Sequence, residues 1–245
     1  MIFFDLYLKY TYSLFLSYSK ELKLTDHEIV FQKDNIKLLH YINKNNNNKQ
    51  KRGSENKNML LIIYAPINRF HILDLNSSKS VVRTLLNNDI DVYLLDWGYP
   101  DKKDNELTLK DYIDYIDDAV QTIIKFRSLT SSASLAPTNR ISILGYCWGG
   151  IFSLIYTATN SPYQKQINKL ILIATPIDFS KDNTTVSLWS KSTNTDKIIK
   201  TFGRFDGYFL DSVFNIRNPA KFIYGKYFNL IKHLDDKEFV DTFFM

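Results

Sequence analysis

A single cysteine, Cys147, stands in a chain of 245 residues. Its isolation excludes any intrachain disulfide and any multi-cysteine zinc or iron–sulfur site, and it points to a reducing compartment. The lone thiol is therefore either a small inert core residue or the reactive centre of the protein. Long apolar runs are also missing, since no stretch reaches the roughly 18 uninterrupted apolar residues of a membrane span. The nearest, Met1 to Ser19, is dense in Phe, Tyr and Leu but is broken by Asp5 and Lys9. No small-residue cleavage site follows a basic start, so it does not read as a signal peptide. It reads as an aromatic helix over 1–27, docked on the domain or on a partner, with an interfacial anchor against a lipid-like surface as the alternative. Charge of one sign is scarce as well. The 31 Lys and Arg against 26 Asp and Glu leave +5, spread along the chain, which makes no case for nucleic acid.

What is present is globular composition, 44% apolar, 15% aromatic and 23% charged, in a length that suits one large domain with an attached cap. Glu28 to Gln32 and Ile36 to Tyr41 read as two short strands around the turn Lys33-Asp34-Asn35. Residues 43–58 are almost wholly polar, with four consecutive Asn at 45–48. The basic residues there lack interleaved aromatics to stack on bases, so this is a solvated loop. Two continuous apolar runs, Met59 to Ala65 and Asp91 to Trp97, predict strands buried on both faces. Between them Val81, Val82, Leu85 and Leu86 form a helical stripe. Thr108 with Asp111 three residues on predicts a capped helix whose inner face is Tyr112, Ile113, Ile116, Val120, Ile123 and Ile124. A loop at Ser128 to Thr138 precedes a strand at Ile141 to Leu144, a helix at Trp148 to Ala158 and a strand at Leu170 to Ala174. Alternating strand and helix at this spacing predicts a parallel sheet with right-handed crossovers over 28–176, with its chemistry at the carboxyl ends of the strands. Residues 177–245 read as short helical pieces, a partial cap.

The junction Gly145-Tyr146-Cys147-Trp148-Gly149-Gly150 has nucleophile-elbow spacing, with Cys where serine usually stands. A nucleophile there must sit on a sharp turn that projects it from the sheet, and glycines two before and two after let strand and helix approach closely. A free thiol is only about 3% thiolate at neutral pH, so a helix N-terminus or an adjacent base has real leverage on its reactivity. The Trp148 backbone N–H is the expected first donor of an oxyanion hole, and the second is expected from the loop after the first buried strand, at Ile67. The competing reading, Cys147 as a buried small hydrophobe in a tight turn, stays open at this level.

The motifs Tyr64-Ala65-Pro66-Ile67-Asn68-Arg69, Ile72-Leu73-Asp74-Leu75, Asp91 to Gly98 (DVYLLDWG), Leu107 to Asp117 (LTLKDYIDYID), the elbow, and Thr175-Pro176-Ile177-Asp178-Phe179 resemble, in that order, the polyhydroxyalkanoate synthases. The resemblance covers roughly 20–245 and is nearest to the short, two-subunit classes III and IV. It implies an α/β-hydrolase fold and polymerisation of 3-hydroxyacyl-coenzyme A into storage polyester. Cys147 would attack the substrate thioester and hold the growing chain. It also implies a second, smaller synthase subunit, a possible homodimer and a cytoplasmic protein at the surface of polyester granules. No metal or redox cofactor is implied. A thioester-linked intermediate keeps the acyl group activated for the next hydroxyl, which a serine ester would not.

The family also uses an Asp and then a His, each after a later strand, and both lie beyond what this sequence offers. After Cys147 the only histidine is His233, in a segment Ile231 to Phe244 that reads as a cap helix, with Asp235 and Asp236 following it. His27, His40 and His71 precede the nucleophile, and His71 falls in the expected oxyanion loop. The end at Phe243-Phe244-Met245 resembles a cut within a longer apolar segment, so the chain is expected to be C-terminally truncated and to lack turnover by itself. Asp96 and Asp178 read as loop-capping residues, with Asp96 placed where an acid could orient a neighbour. Two rivals share these features: a cysteine-dependent acyl hydrolase or esterase, and a non-catalytic synthase-like chain that binds a partner or a granule.

Overall fold

The computed structural model describes residues 25–42, 58–130, 140–159 and 161–178, a helix within 225–233, and isolated positions at 194, 197, 200, 235, 236, 239, 240 and 243. Residues 1–24 of the expected aromatic helix at 1–27, and most of the expected cap at 177–245, lie outside the described residues, and His27 at the end of that segment already opens a strand. By compactness the chain divides into one unit of 25–74 with 80–182, which holds the whole sheet, and another of 1–24, 75–79 and 183–245.

The sheet has six strands: β1 (His27–Lys33), β2 (Ile36–Tyr41), β3 (Met59–Ile63), β4 (Asp91–Asp96), β5 (Ile141–Tyr146) and β6 (Ile167–Ile173). They lie in the order β1-β2-β4-β3-β5-β6. An antiparallel hairpin, turned at Asp34 with φ 53° and bulged between Ile29 and Phe31, pairs antiparallel with β4. From β4 to β6 every pairing is parallel. This is the parallel sheet that the strand–helix alternation predicts and the α/β-hydrolase architecture that the family resemblance implies. Its centre is β3, where Met59 to Ile63 are all buried, because helices must cover both faces. Each fully buried Leu or Ile there contributes about 1.5–3 kcal/mol.

Helix α1 (Val81–Asn87) links β3 to β4, α2 (Leu109–Thr130) links β4 to β5, and α3 (Trp148–Ala158) links β5 to β6. The first crossover steps one way along the sheet and the next two step the other way. With right-handed connections, α1 therefore covers one face, and α2 and α3 share the opposite one. The adjacent strands β3 and β5 send their connections in opposite directions, so a crevice opens between their carboxyl ends. That switch point places the loop after β3 beside the turn after β5.

Helix boundaries show where side chains compete with the backbone. Ser80 caps α1, its hydroxyl accepting from Arg83 N–H at 2.9 Å. At α2 only half of the expected capping box forms. Asp111 accepts from the Thr108 N–H at 2.7 Å, but Thr108 Oγ1 donates to the same carboxylate instead of accepting from the helix. Helix α2 also runs on to Thr130, through three residues assigned above to the loop beginning at Ser128. Ser128 Oγ turns back onto the Ile124 carbonyl at 2.9 Å, so the serine is absorbed into the helix. In the other unit, helix α4 (Lys226–Lys232) begins before the expected Ile231 and stops at His233, whose N–H closes onto Leu230 O.

Opposite the crevice, at the amino ends of the parallel strands, His40 of β2 bridges two carboxylates. Nε2 lies 2.7 Å from Asp91 of β4 and Nδ1 3.4 Å from Glu28 of β1, while the ring stacks on Tyr93 and meets Phe126 edge-on. Arg127 of α2 stands 4.0 Å from Asp91. Burial pushes the imidazole pKa down, but the hydrogen bonds and charges of Asp91 and Glu28 outweigh it, and the net shift is upward. The folded chain thus holds this proton more tightly than the unfolded chain does. The stabilisation is complete below the ordinary histidine pKa and is lost as pH rises through the raised value. Thermal unfolding is expected to show a midpoint that falls across that window. His40→Gln, compared at pH 6 and pH 8 by circular dichroism, should remove this dependence.

Candidate active site

The elbow is built by β5 and α3 around one strained residue. Cys147 has φ 55° and ψ −123°, a left-handed backbone that costs a residue with a β-carbon about 1–3 kcal/mol. The surroundings hold it there. Its N–H donates to the Ile173 carbonyl of β6 at 2.9 Å, and its own carbonyl accepts from Gly150 N–H at 2.9 Å, opening α3. Cys147 is half-buried, and among the described residues no histidine hydrogen-bonds it.

The two elbow glycines have separate reasons to lack a side chain. A β-carbon on Gly145 would stand 2.4 Å from the Gly150 Cα, so β5 and α3 could not close. On Gly149 it would stand 2.1 Å from the Ile63 carbonyl oxygen and 2.8 Å from the Tyr64 carbonyl carbon. The first turn of α3 therefore rests directly on the carboxyl end of β3. Ser153, one turn further along, satisfies the Gly149 carbonyl at 2.7 Å.

The loop after β3 begins at Tyr64 and makes a turn over Ala65–Asn68, closed by Asn68 N–H donating to Ala65 O at 2.8 Å. Pro66 and Ile67 occupy its two central positions, so the closing bond of the turn does not use the Ile67 amide. Ile67 and Trp148 are both exposed. Both ends of the turn are fastened to the loop after β4. The buried Tyr64 hydroxyl donates to Asp96 Oδ1 at 2.8 Å and accepts from Trp97 N–H at 3.2 Å, while Trp97 Nε1 donates to Tyr64 O at 2.7 Å. At the far end Arg69 Nη1 donates to Gly98 O at 2.7 Å, and the guanidinium lies 3.6 Å from the Tyr99 ring centre. Burial, then the charge and hydrogen bond of Asp96, push the Tyr64 hydroxyl far above its ordinary pKa, so it remains a donor throughout the accessible range.

Beneath the elbow, Trp97, Tyr112 and Phe152 form an aromatic cluster with ring centres 5.2–6.0 Å apart, and Trp148 joins Phe152 at 6.4 Å. Thr175, after β6, abuts Gly150, and its buried hydroxyl has no hydrogen-bond partner among the described residues.

The histidines are placed elsewhere or differently. His27 packs on Tyr41 and Phe70, and His40 belongs to the opposite end of the sheet. His71 lies in a 3-10 turn over Phe70–Leu73, its pKa lowered by burial and by Arg69. His233 caps α4, with Nδ1 on the Asn229 carbonyl at 2.9 Å. Asp178 is exposed after β6. Among the described residues no three His, Cys, Asp or Glu side chains gather as a metal-binding set, and no helix is long and apolar enough to cross a membrane.

Sequence reasoning singled out Asp96 but missed Tyr64 as its donor. The signal was present: a tyrosine ending an otherwise aliphatic buried run must find a partner for its hydroxyl. With Ile63 paired to Leu95, Asp96 is the next residue across.

Comparison with known proteins adds lineage. A family described as a PGAP1-like alpha/beta domain matches residues 77–200, and one described as the poly-beta-hydroxybutyrate polymerase (PhaC) N-terminus matches residues 5–85. The poly(3-hydroxyalkanoate) polymerase subunit PhaC of Thiocystis violacea is 35% identical over 188 residues, which are 76% of this chain and 50% of that protein. Its counterpart from Haloferax mediterranei is 34% identical over 222 residues, 89% of this chain and 41% of the other. The chain thus spans half or less of the length of these curated relatives. Among solved structures, a membrane phospholipase A is similar with a TM-score of 0.48 at 16% identity, over 75% of this chain and 52% of that one.

Because Gly149 meets backbone and not a flexible side chain, Gly149→Ala is expected to destabilise the protein by about 1–3 kcal/mol. Chemical denaturation of the variant beside the parent chain checks this.

Proposed function

The chain belongs to the PGAP1-like alpha/beta family and is a relative of the poly(3-hydroxyalkanoate) polymerases, and from that premise we propose that its elbow performs acyl transfer from a 3-hydroxyacyl-coenzyme A thioester through Cys147. The observation that carries this reading is the strained Cys147 backbone, held by β6 and α3 beside the loop that follows β3. Strain of this kind persists only where surrounding structure enforces it, and it gathers at functional sites.

In the proposed step the Cys147 sulfur attacks the thioester carbonyl. The tetrahedral oxyanion would be received by the backbone N–H groups of Trp148 and Ile67. The carbon–sulfur bond to coenzyme A then breaks, its thiolate takes up a proton, and the acyl group remains on Cys147 as a new thioester. Exchange of one thioester for another is nearly isoenergetic, so the intermediate stays reactive. Attack by the hydroxyl of another 3-hydroxyacyl-coenzyme A on the Cys147-bound acyl group would form the ester bond, return the Cys147 thiol, and leave a coenzyme A thioester one unit longer that can acylate Cys147 again. Gly145 and Gly149 serve this step by permitting the turn. The described histidines supply no base to Cys147, so a single acylation is the expected extent of reaction by the chain alone. A second, smaller subunit and the surface of a cytoplasmic polyester granule are the partners that the relationship suggests.

Incubation with 3-hydroxybutyryl-coenzyme A is expected to release about one equivalent of coenzyme A and to add one hydroxybutyryl mass to the peptide containing Cys147. Cys147→Ala should abolish both. Release without a protein adduct, accompanied by free hydroxy acid, would mark a hydrolase, and no release at all would sink the reading. Alkylation provides a second check. Iodoacetamide at neutral pH should label Cys147 at least about tenfold faster than a model thiol, given its place at a helix N-terminus.

A further inference from the structure

We propose that Tyr64 and Asp96 are positioning residues, holding the turn after β3 so that the Ile67 amide is set for the oxyanion. This inference rests on the acyl-transfer reading above and extends it to two side chains that never touch the substrate.

The argument begins with where the turn is anchored. On one side the residue that leads into it, Tyr64, is pressed by the first turn of α3, because Gly149 has no side chain to hold it off. On the other side Tyr64 is tied to the loop after β4 by three hydrogen bonds: hydroxyl to Asp96, Trp97 N–H to the hydroxyl, and Trp97 indole to the Tyr64 carbonyl. Asp96 is itself fixed, since Oδ1 also accepts from Gly98 N–H at 3.1 Å. The residue that follows the turn, Arg69, binds the same loop at Gly98 O. Ala65 to Asn68 are thus suspended between two fastenings on one neighbouring segment, and the exposed Ile67 lies between them.

An exposed turn carried only by its own closing bond, Asn68 N–H to Ala65 O, would sample several orientations. An oxyanion donor is effective only when it is already aimed, because reorienting it during the reaction forfeits the gain. The Tyr64 hydroxyl is fully buried and uses its one donor and one acceptor position in this network. A hydroxyl at that depth with both roles filled fixes one geometry. Nothing in the aliphatic run Met59 to Ile63 does this for the loop, since those side chains pack within the core.

The test separates positioning from general structure by using two reactions of the same sulfur in the 245-residue chain. Acylation by 3-hydroxybutyryl-coenzyme A passes through an oxyanion, whereas alkylation by iodoacetamide occurs at a saturated carbon and forms none. Tyr64→Phe is expected to lower the saturating single-turnover acylation rate by about tenfold or more, against the 10²–10³ lost when a donor is removed outright. The half-saturating substrate concentration and the alkylation rate should stay within about twofold of the parent. Asp96→Asn keeps an oxygen that accepts from Tyr64 and Gly98, so its acylation rate should remain within about threefold, while Asp96→Ala should behave like Tyr64→Phe. Arg69→Gln loosens the other end from a half-buried position and should slow acylation selectively even if a buried variant fails to fold. Unchanged acylation in Tyr64→Phe and Arg69→Gln, or acylation and alkylation falling together by one factor, would overturn the inference while leaving acyl transfer intact. Failure of the unaltered chain to acylate at all, with Cys147 still alkylated normally, would remove the parent reading and this one with it.

Discussion

The approach of α3 onto the end of β3, with Gly149 against the Ile63 carbonyl, is the contact from which the remaining geometry follows. It sets the helix axis low enough for Gly145 to pass Gly150, and it forces the chain between β5 and α3 into the left-handed turn at Cys147. The same contact presses on Tyr64 and so reaches the loop after β3. A single missing side chain therefore couples the position of the thiol to the position of its neighbouring turn. The strain at Cys147, about 1–3 kcal/mol, is sustained by hydrogen bonds to Ile173 and Gly150 and by the buried sheet around β3.

Around this contact the crevice has two kinds of support. Apolar support comes from Trp97, Tyr112 and Phe152, which fill the space between α2, α3 and the end of β4. Polar support comes from Tyr64, Asp96 and Trp97, where a buried carboxylate accepts from a hydroxyl and a backbone N–H. Hydrogen bonds to charged groups contribute about 1.5–3 kcal/mol each, and unlike the aromatic packing they prescribe direction. The lone cysteine thus sits in a frame whose parts come from three strand ends.

Much of this was legible in the amino-acid order. The runs Met59 to Ala65 and Asp91 to Trp97 declared central strands because no soluble surface tolerates them, and β3 and β4 occupy them to within two residues. The elbow spacing located the turn, since only closely set glycines permit a helix to start that near a strand. Where the reading missed, local polar chemistry competed with periodicity. Ser128 read as a loop residue but bonds back into α2, and Thr108 and Asp111 formed half a box because the hydroxyl found the carboxylate first.

By itself the sequence determined the elements, their order and the position of the thiol, since burial pattern and glycine spacing act over a few residues. Tertiary structure alone decided which side chains meet across the crevice. Tyr64 and Asp96 are separated by 32 residues, and their pairing depends on the register of β3 against β4. Likewise His40 became a bridge between Glu28 and Asp91 only when three strands were laid side by side. Contacts of that range depend on how a chain crosses its own sheet, a choice fixed by the handedness of its connections and the packing of both faces together.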